Sequence, residues 1–237
     1  MRLFFHASSL QNGKIITFDP RESKHITRVL RMKKGDRIHM TCGDGQLFQA
    51  RITDDDKREC KVEVVSSVAV DEPGRPYFRL LVAPPRSKQR WEWLLEKVTE
   101  IGVDEIFPIH CEQSERATID PKRANLVLIN ALKQSQQVRL PLLHPICPFD
   151  AAMEGTKDGL RLIAHCNENK DVHRWNEFGH ALNTVNILIG PEGDFTPDEV
   201  NKAIKNDYFA LSLGENRLRT ETAAIVASQM VASMHRK

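Results

Sequence analysis

Two loop-like segments near the end of this sequence have the residue types of a ligand site. Residues 190–193 read Gly-Pro-Glu-Gly, and residues 213–219 read Leu-Gly-Glu-Asn-Arg-Leu-Arg. Gly190 and Gly193 would allow a ligand to approach the backbone closely, and Pro191 would stiffen the loop. Both segments differ from the Walker loop and from G-x-G-x-x-G, so the chemistry of those phosphate loops is not expected here.

Each of these segments has a second interpretation. A tight strand-to-helix turn uses the same glycines and proline in the first segment. In the second segment, Arg217, Arg219 and Glu221 could form a solvated helix cap with Thr220 as the N-cap residue. Two such loops in one domain, both at predicted carboxyl ends of strands, favour a shared pocket more than either loop does alone.

The predicted strands and helices around the two loops indicate that the loops lie close together. Apolar strands are predicted at 160–166, 185–190 and 208–213, and a capping box at 196–199 and an Ala-rich helix over 220–234 follow. In α/β sheets, ligands bind beyond the carboxyl ends of the strands, which is where both loops are predicted. His165, at the end of one strand, could line the pocket, although a lone histidine is more often structural.

The rest of the second half alternates strands with helices. Strands are predicted at 78–83 and 105–111. One helix covers 88–101, with Ser87 as its cap and Gly102 as its stop, and another runs from Pro121 to about Val138. This alternation predicts an α/β domain on a mostly parallel sheet.

The first seventy residues show a different pattern of predicted elements. Short β-rich runs lie at 2–5, 14–18, 36–42, 47–53 and 60–68, and one helix follows Asp19 and Pro20. Five strands and one helix favour a small closed or nearly closed barrel. The Pro- and Gly-containing stretch 71–76 predicts a linker, and the predicted domains are therefore 1–72 and 73–237.

A basic stretch over residues 21–37 is the candidate RNA-binding surface. It holds seven Lys and Arg against two carboxylates. Arg28 and Arg31, three residues apart on the predicted helix, could contact one RNA backbone together, although a solvated charged face is an equal alternative. Lys88 and Lys97 on the helix over 88–101 are further candidates, although a solvated lysine is the commoner case.

Composition excludes several classes of protein. The net charge is only +2, hydrophobic residues make up 41% and charged residues 28%, which is ordinary globular composition. No apolar run approaches the roughly 20 residues of a membrane span, and the first residues do not resemble an export signal, so a cytoplasmic location is expected. The five cysteines contain no C-x-x-C pair, and no histidines show metal-ligand spacing, so no metal site is predicted.

The two loops resemble one known family. Leu-Ile-Gly-Pro-Glu-Gly-Asp-Phe-Thr at 188–196, Leu-Gly at 213–214 and Leu-Arg-Thr-Glu-Thr-Ala at 218–223 closely resemble the ribosomal small-subunit (16S) RNA uridine-N3 methyltransferases. This family belongs to the SPOUT superfamily, whose methyltransferase domain is knotted. The helix over 88–102 and the segment 25–31 match in kind and order, so the resemblance covers essentially the whole chain.

The resemblance implies a fold, a cofactor and partners. The fold class is α/β, with an N-terminal PUA-like β-barrel that helps bind RNA and a C-terminal SPOUT domain with a deep trefoil knot. The partners are 16S ribosomal RNA or the small ribosomal subunit and a second copy of the chain. S-adenosylmethionine is the methyl donor. Together with His165, the implied cofactor-binding residues are Ile189, Gly190, Pro191, Glu192, Gly193, Leu213, Gly214, Leu218 and Arg219.

The chain departs from the family pattern at two places. Asp194 stands where the family usually has a second glycine, which puts an extra carboxylate beside the pocket mouth. Asn216 and Arg217 stand where the family usually has Arg and Ile, and Arg217 could replace the family arginine from the adjacent position.

The implied reaction needs an activated uracil nitrogen. N3 carries a proton at neutral pH, which must be removed, or the anionic ring stabilised, as the methyl group is attacked. Arg219 is the candidate for stabilising charge on a uracil oxygen, and Glu192 or Glu221 could accept the proton or order the loops. The alternatives are the same chemistry on another RNA, such as transfer RNA, and a non-catalytic RNA-binding dimer.

The last predicted helix also bears on the dimer. Ala, Ile and Val cover nearly every side of its first two turns, so it should be buried on more than one face. A partner subunit could cover the second face. Other helices of the same chain could do so instead.

Overall fold

The structure is a computed structural model that describes residues 2–70, 75–166, 172–179 and 182–234. The chain divides into two compact units. The first contains Met1–Asp71 and Leu132–Leu140, and the second contains Glu72–Ala131 and Pro141–Lys237. Most of the predicted linker, residues 71–74, lies outside the described residues.

The first unit contains a curled five-stranded sheet. Its strands are β1 (Leu3–Phe5), β2 (Ile15–Thr17), β3 (Arg37–Thr41), β4 (Gln46–Asp54) and β5 (Lys61–Ala69), in the order β1-β3-β4-β5-β2. These confirm the five predicted strands. β1 pairs with β3 in parallel, and the other pairs are antiparallel. Alternate residues such as Met40, Phe48 and Val62 are buried in the core of this unit.

The helix of this unit begins as predicted and ends differently. The carboxylate of Asp19 accepts hydrogen bonds from the backbone N–H groups of Arg21 and Glu22, which caps α1 (Pro20–Lys24). The chain continues as a π-helical turn over His25–Val29, and Arg31 then has a left-handed φ of 56°. Arg31 is therefore not on the helix with Arg28, and the prediction of one helical face for the pair is wrong.

The second unit is built on an eight-stranded sheet. Its strands are β6 (Tyr77–Val82), β7 (Glu105–His110), β8 (Leu142–Leu143), β9 (Cys147–Pro148), β10 (Leu160–Ala164), β11 (His173–Arg174), β12 (Thr184–Ile189) and β13 (Phe209–Ser212). The order is β11-β13-β10-β12-β6-β7-β8, with β9 also beside β7, and every pair is parallel. The mostly parallel α/β sheet is confirmed.

Among the described residues, five further α-helices follow in chain order. They are α2 (Lys88–Ile101), α3 (Pro121–Ser135), α4 (Phe149–Gly155), α5 (Pro197–Lys205) and α6 (Thr220–Ala232). Ser87 caps α2 and Gly102 ends it with a φ of 99°, as predicted, and the Thr196–Glu199 capping box begins α5. α3 ends at Ser135 rather than at about Val138 as predicted, because Gln136 takes a left-handed φ of 60°.

The sheet of the second unit is apolar on both faces, as a parallel sheet must be when helices cover it. On one face, Leu81, Ile163 and Leu188 pack against residues of α4 and α5. α6 packs on β6 and β12, and α2 packs on α6. The sequence did not predict α4, β8, β9 or β11, which are too short to show periodicity. No helix in the described part of the chain is long and apolar enough to cross a membrane.

A partly buried charged network lies near the amino ends of β6 and β7. The carboxylate of Glu105 accepts from Nε of Arg79 at 3.0 Å and contacts Nε2 of His144 at 2.6 Å. Burial alone would raise the pKa of Glu105, but hydrogen bonds from Arg79, His144 and Tyr77 hold that pKa below its usual value. This network links β6 and β7 to the residue that follows β8.

Glu105→Gln should therefore destabilise the protein at neutral pH. Loss of the carboxylate removes one of the two ion pairs of Arg79, which keeps only the more exposed Asp158, at a cost of about 1–3 kcal/mol. Because the folded-state pKa of Glu105 is lowered, its contribution is present at neutral pH and is lost as the pH falls through that folded-state pKa. Urea unfolding at pH 7 and near pH 3 should show the two proteins converging at the lower pH. Asp207→Asn, which removes an exposed carboxylate paired with Arg161, is the control.

Candidate functional site

A cavity of about 800 Å³ lies at the carboxyl ends of β10, β12 and β13. Its walls are the residues after β10, the loop after β12 and the loop after β13. A parallel sheet brings these three chain segments to one edge, although they are far apart in sequence. The predicted shared pocket is therefore present, and its volume is within the range of small-molecule sites, roughly 300–1,000 Å³.

Most of the residues predicted to bind a cofactor line this cavity. They are His165, Ile189, Gly190, Pro191, Glu192, Leu213, Gly214, Leu218 and Arg219. Two predicted residues lie outside the lining. A Cβ on Gly193 would come within 3.0 Å of Cβ of Gln113, so its lack of a side chain allows loop packing. Glu221 is buried in the first turn of α6.

The predicted RNA-binding residues lie elsewhere. Arg28 and Arg31 are exposed in the first unit. Lys97 donates to the carboxylates of Glu96 and Glu100 on its own helix, which compensates its charge locally. Lys88 is exposed at the start of α2, in a second and smaller cavity.

The first loop depends on a close contact at Gly190. A Cβ on this residue would stand 3.1 Å from two ring carbons of Phe195, which is itself buried. The next residues keep the loop in place, because Oε1 of Glu192 accepts a hydrogen bond from the backbone N–H of Arg86 at 3.0 Å. The carboxylate of Glu192 is thus oriented at the rim of the cavity.

Thr220 connects the two loops, a role that the sequence did not reveal. Its hydroxyl donates to the backbone carbonyl of Gly190 at 3.0 Å, and the bond is buried. The N-cap position of α6 belongs to Arg219, whose side chain makes no capping bond. The interpretation of Thr220 as the N-cap residue is therefore wrong, and the side chain of Arg219 is exposed in the cavity wall.

Asp194 connects the first loop to the segment after β10. One carboxylate oxygen accepts from the backbone N–H of Cys166 at 2.8 Å, and the other accepts from the N–H of Phe195 at 2.8 Å. Asp194 has a left-handed φ of 69°, which favours glycine and costs an L-residue energy. The two hydrogen bonds offset this cost and fix the carboxylate that the sequence placed at the pocket mouth.

His165 lies half-buried in the cavity wall. Burial lowers its pKa, although the negative charge of Asp194 acts in the opposite direction. Both ring nitrogens are buried and make no hydrogen bond to any residue that the structure describes. Since buried polar atoms are rarely left without partners, these nitrogens are suited to a polar group of a bound ligand.

Glu221 is joined to a residue that the sequence did not single out. Its Oε1 lies 3.6 Å from Nε of Arg90 on α2, and its Oε2 has no hydrogen-bond partner in the described part of the chain. Within that same part, no group of three or more His, Cys, Asp or Glu residues could hold a metal ion.

Comparisons with known proteins match both halves of the chain. The model of the RNA methyltransferase domain matches residues 75–232, and the model of the RNA methyltransferase PUA domain matches residues 18–65. The cavity, the two loops and the parallel sheet all lie within the first of these matches.

Individual proteins extend the match to nearly the whole length. A probable rRNA methyltransferase from Porphyromonas gingivalis is 38% identical, with a TM-score of 0.91 over 99% of this chain and 98% of that one. The ribosomal RNA small subunit methyltransferase E of Neisseria gonorrhoeae, solved with S-adenosylmethionine, is 25% identical, with a TM-score of 0.82 over 96% and 95% of the two chains.

A curated relative gives the same family. The ribosomal RNA small subunit methyltransferase E of Rickettsia conorii is 26% identical over 97% of this chain and 94% of its own. The resemblance seen in the two loops is thereby confirmed. The chain belongs to the RNA methyltransferase family and carries the PUA domain of these enzymes.

Proposed function

We propose that this protein transfers a methyl group from S-adenosylmethionine to N3 of a uridine in 16S ribosomal RNA. The observation that carries the proposal is the cavity built by the two loops of an RNA methyltransferase domain. The ribosomal substrate rests on relatives named as small-subunit methyltransferases, and N3 rests on the loop resemblance. Since ribosomal RNA is the substrate, the protein acts in the cytoplasm.

The residues of the cavity fit the cofactor. Gly190 and its neighbours in the first loop line the cavity, and the buried nitrogens of His165 need polar partners. Ile189 and Leu218 would contact apolar parts of the cofactor, and the backbone at Leu213 and Gly214 would contact its polar groups. S-adenosylmethionine supplies a methyl group that its sulfonium has already activated.

The chain's own residues then act on the uracil. Arg219, exposed in the cavity wall, stabilises negative charge that develops on a uracil oxygen. Glu192 accepts the N3 proton, because it lines the cavity and the N–H of Arg86 fixes its carboxylate. Glu221 lies outside the lining, so we assign it to ordering the start of α6 together with Arg90.

The two halves of the chain have different tasks in this proposal. Residues 1–72 form the PUA-like RNA-binding domain, and residues 73–237 form the SPOUT methyltransferase domain. Within the basic stretch, Arg28 and Arg31 are both exposed and available to phosphates. Lys88 and Lys97 contact RNA from α2, with Lys97 the weaker contact because two carboxylates already compensate it.

The deep trefoil knot is part of the proposed fold. β13 lies beyond β10 in the sheet, whereas α6 returns to pack on β6 and β12. Thr220 holds the start of α6 against the first loop. This return of the chain past the loop after β12 supports the knot.

A homodimer is also part of the proposal. The buried face of α6 includes Ala224, Ala227 and Val231, and α2 covers part of that helix. Its other face carries Ile225, Val226 and Met230, which are only half-buried in the single chain. Apolar side chains on this second face support a partner subunit, and Ala223, on the same helix, lines the cavity.

Methyl transfer in vitro tests the function. Purified protein with S-adenosylmethionine should methylate 16S ribosomal RNA or small ribosomal subunits, and mass spectrometry should find one N3-methyluridine. Gly190→Val should abolish transfer, because the added side chain meets the ring of Phe195 and displaces the first loop, and circular dichroism should confirm that the variant is still folded. Methylation of transfer RNA instead would make the substrate wrong. A wild-type protein that binds RNA without transferring methyl would make the enzyme proposal wrong.

Asp194 gives a test that is specific to this chain. Asp194→Gly should relieve the left-handed strain but remove the acceptor of the Cys166 N–H, which loosens the cavity wall. Calorimetry should show S-adenosylmethionine binding about tenfold weaker, which corresponds to about 1.4 kcal/mol. Asp207→Gly is the matched control, since Asp207 is also left-handed, with a φ of 59°, but lies outside the cavity. Equal affinities of the two variants would contradict the role of Asp194.

A further inference from the structure

A second cavity, of about 480 Å³, lies at the start of α2 in the second unit. Charged residues dominate its lining: Arg86, Lys88, Glu115, Arg116 and Asp120. We call this cavity the basic cleft. It shares no lining residue with the cavity between the two loops.

The carboxylates of the basic cleft are already engaged. Oδ1 of Asp120 accepts from the backbone N–H of Arg123 and so caps the start of α3. Glu115 lies 3.1 Å from Nη1 of Arg86, but both side chains are more than half exposed. An exposed ion pair of this kind contributes little and can open when a stronger anion arrives. Lys88 is exposed, and its charge helps to lower the pKa of Glu92 one turn along the same helix.

Backbone contacts fix the basic cleft beside the methyl-transfer site. The N–H of Arg86 donates to Oε1 of Glu192 in the first loop. On its other side, the carbonyl of Arg86 accepts from Nη2 of Arg116 at 2.8 Å. A single residue therefore belongs to the wall of the basic cleft and also touches the rim of the cavity.

We propose that the basic cleft binds a backbone phosphate of the RNA next to the methylated uridine. This inference rests on the proposed function. Lys88 and the guanidinium of Arg86 contact the phosphate, and Arg116 is a positioning residue that holds the Arg86 backbone. A phosphate bound here places the adjacent nucleotide at the rim where Glu192 stands. Cations that neutralise phosphates release counterions, so this contact is salt-dependent.

The test uses the full chain with Arg86→Ala and Lys88→Ala, singly and together. The Arg86 variant keeps the backbone N–H that holds Glu192. Binding of 16S RNA at several salt concentrations should give a slope of log K against log[salt] whose magnitude falls by about 0.7–0.9 in the double variant, which loses the one proposed phosphate contact. The KM for RNA should rise about tenfold in the double variant, with kcat nearly unchanged. Calorimetry with S-adenosylmethionine should give the wild-type affinity.

Lys205→Ala is the matched control, because Lys205 is an exposed lysine on α5 outside both cavities. It should leave the salt slope and the KM unchanged. If the Arg86 and Lys88 variants also keep the wild-type slope and KM, the basic cleft does not bind RNA. Failure of the proposed function is distinguishable from this outcome, because the wild-type protein would then transfer no methyl group.

Discussion

The buried hydrogen bond from the Thr220 hydroxyl to the Gly190 carbonyl is the contact on which the site depends. The parallel sheet places the ends of β12 and β13 at one edge, but it does not fix the loops that follow them. Thr220 supplies that connection, and Asp194 adds a second one to the segment after β10. Together these hydrogen bonds hold the segments after β10, β12 and β13 in place as the walls of one cavity.

A hydrogen bond also connects the first loop to the proposed RNA-binding surface. Glu192 accepts from the Arg86 backbone, so the first loop is attached on one side to the start of α6 and on the other to the start of α2. The hydrogen bond from the Arg86 backbone to Glu192 therefore links the proposed proton acceptor to the residues proposed to bind the phosphate. A uridine need only enter the cavity, while its neighbouring phosphate remains outside.

Most helices and strands around the site could be predicted from the sequence, because the residues that mark them are close together in the chain. Capping residues such as Ser87 and Thr196 marked the helices, and apolar runs marked the strands before both loops. The bonds made by Thr220 and Asp194 join residues about thirty positions apart, and no periodicity records such pairs. The π-helical turn that contains Arg28, and the left-handed backbone of Arg31 after it, also have no pattern in the sequence.

Calorimetry with S-adenosylmethionine on Thr220→Val tests the central claim most directly. Valine keeps the shape but removes the donor, so the Gly190 carbonyl loses its partner, and affinity should fall about tenfold, or about 1.4 kcal/mol. Thr41→Val is the control, because the hydroxyl of Thr41 also donates to a buried backbone carbonyl, that of Val138, in the first unit. Wild-type affinity in the Thr220 variant would contradict a cofactor site built by joining the two loops.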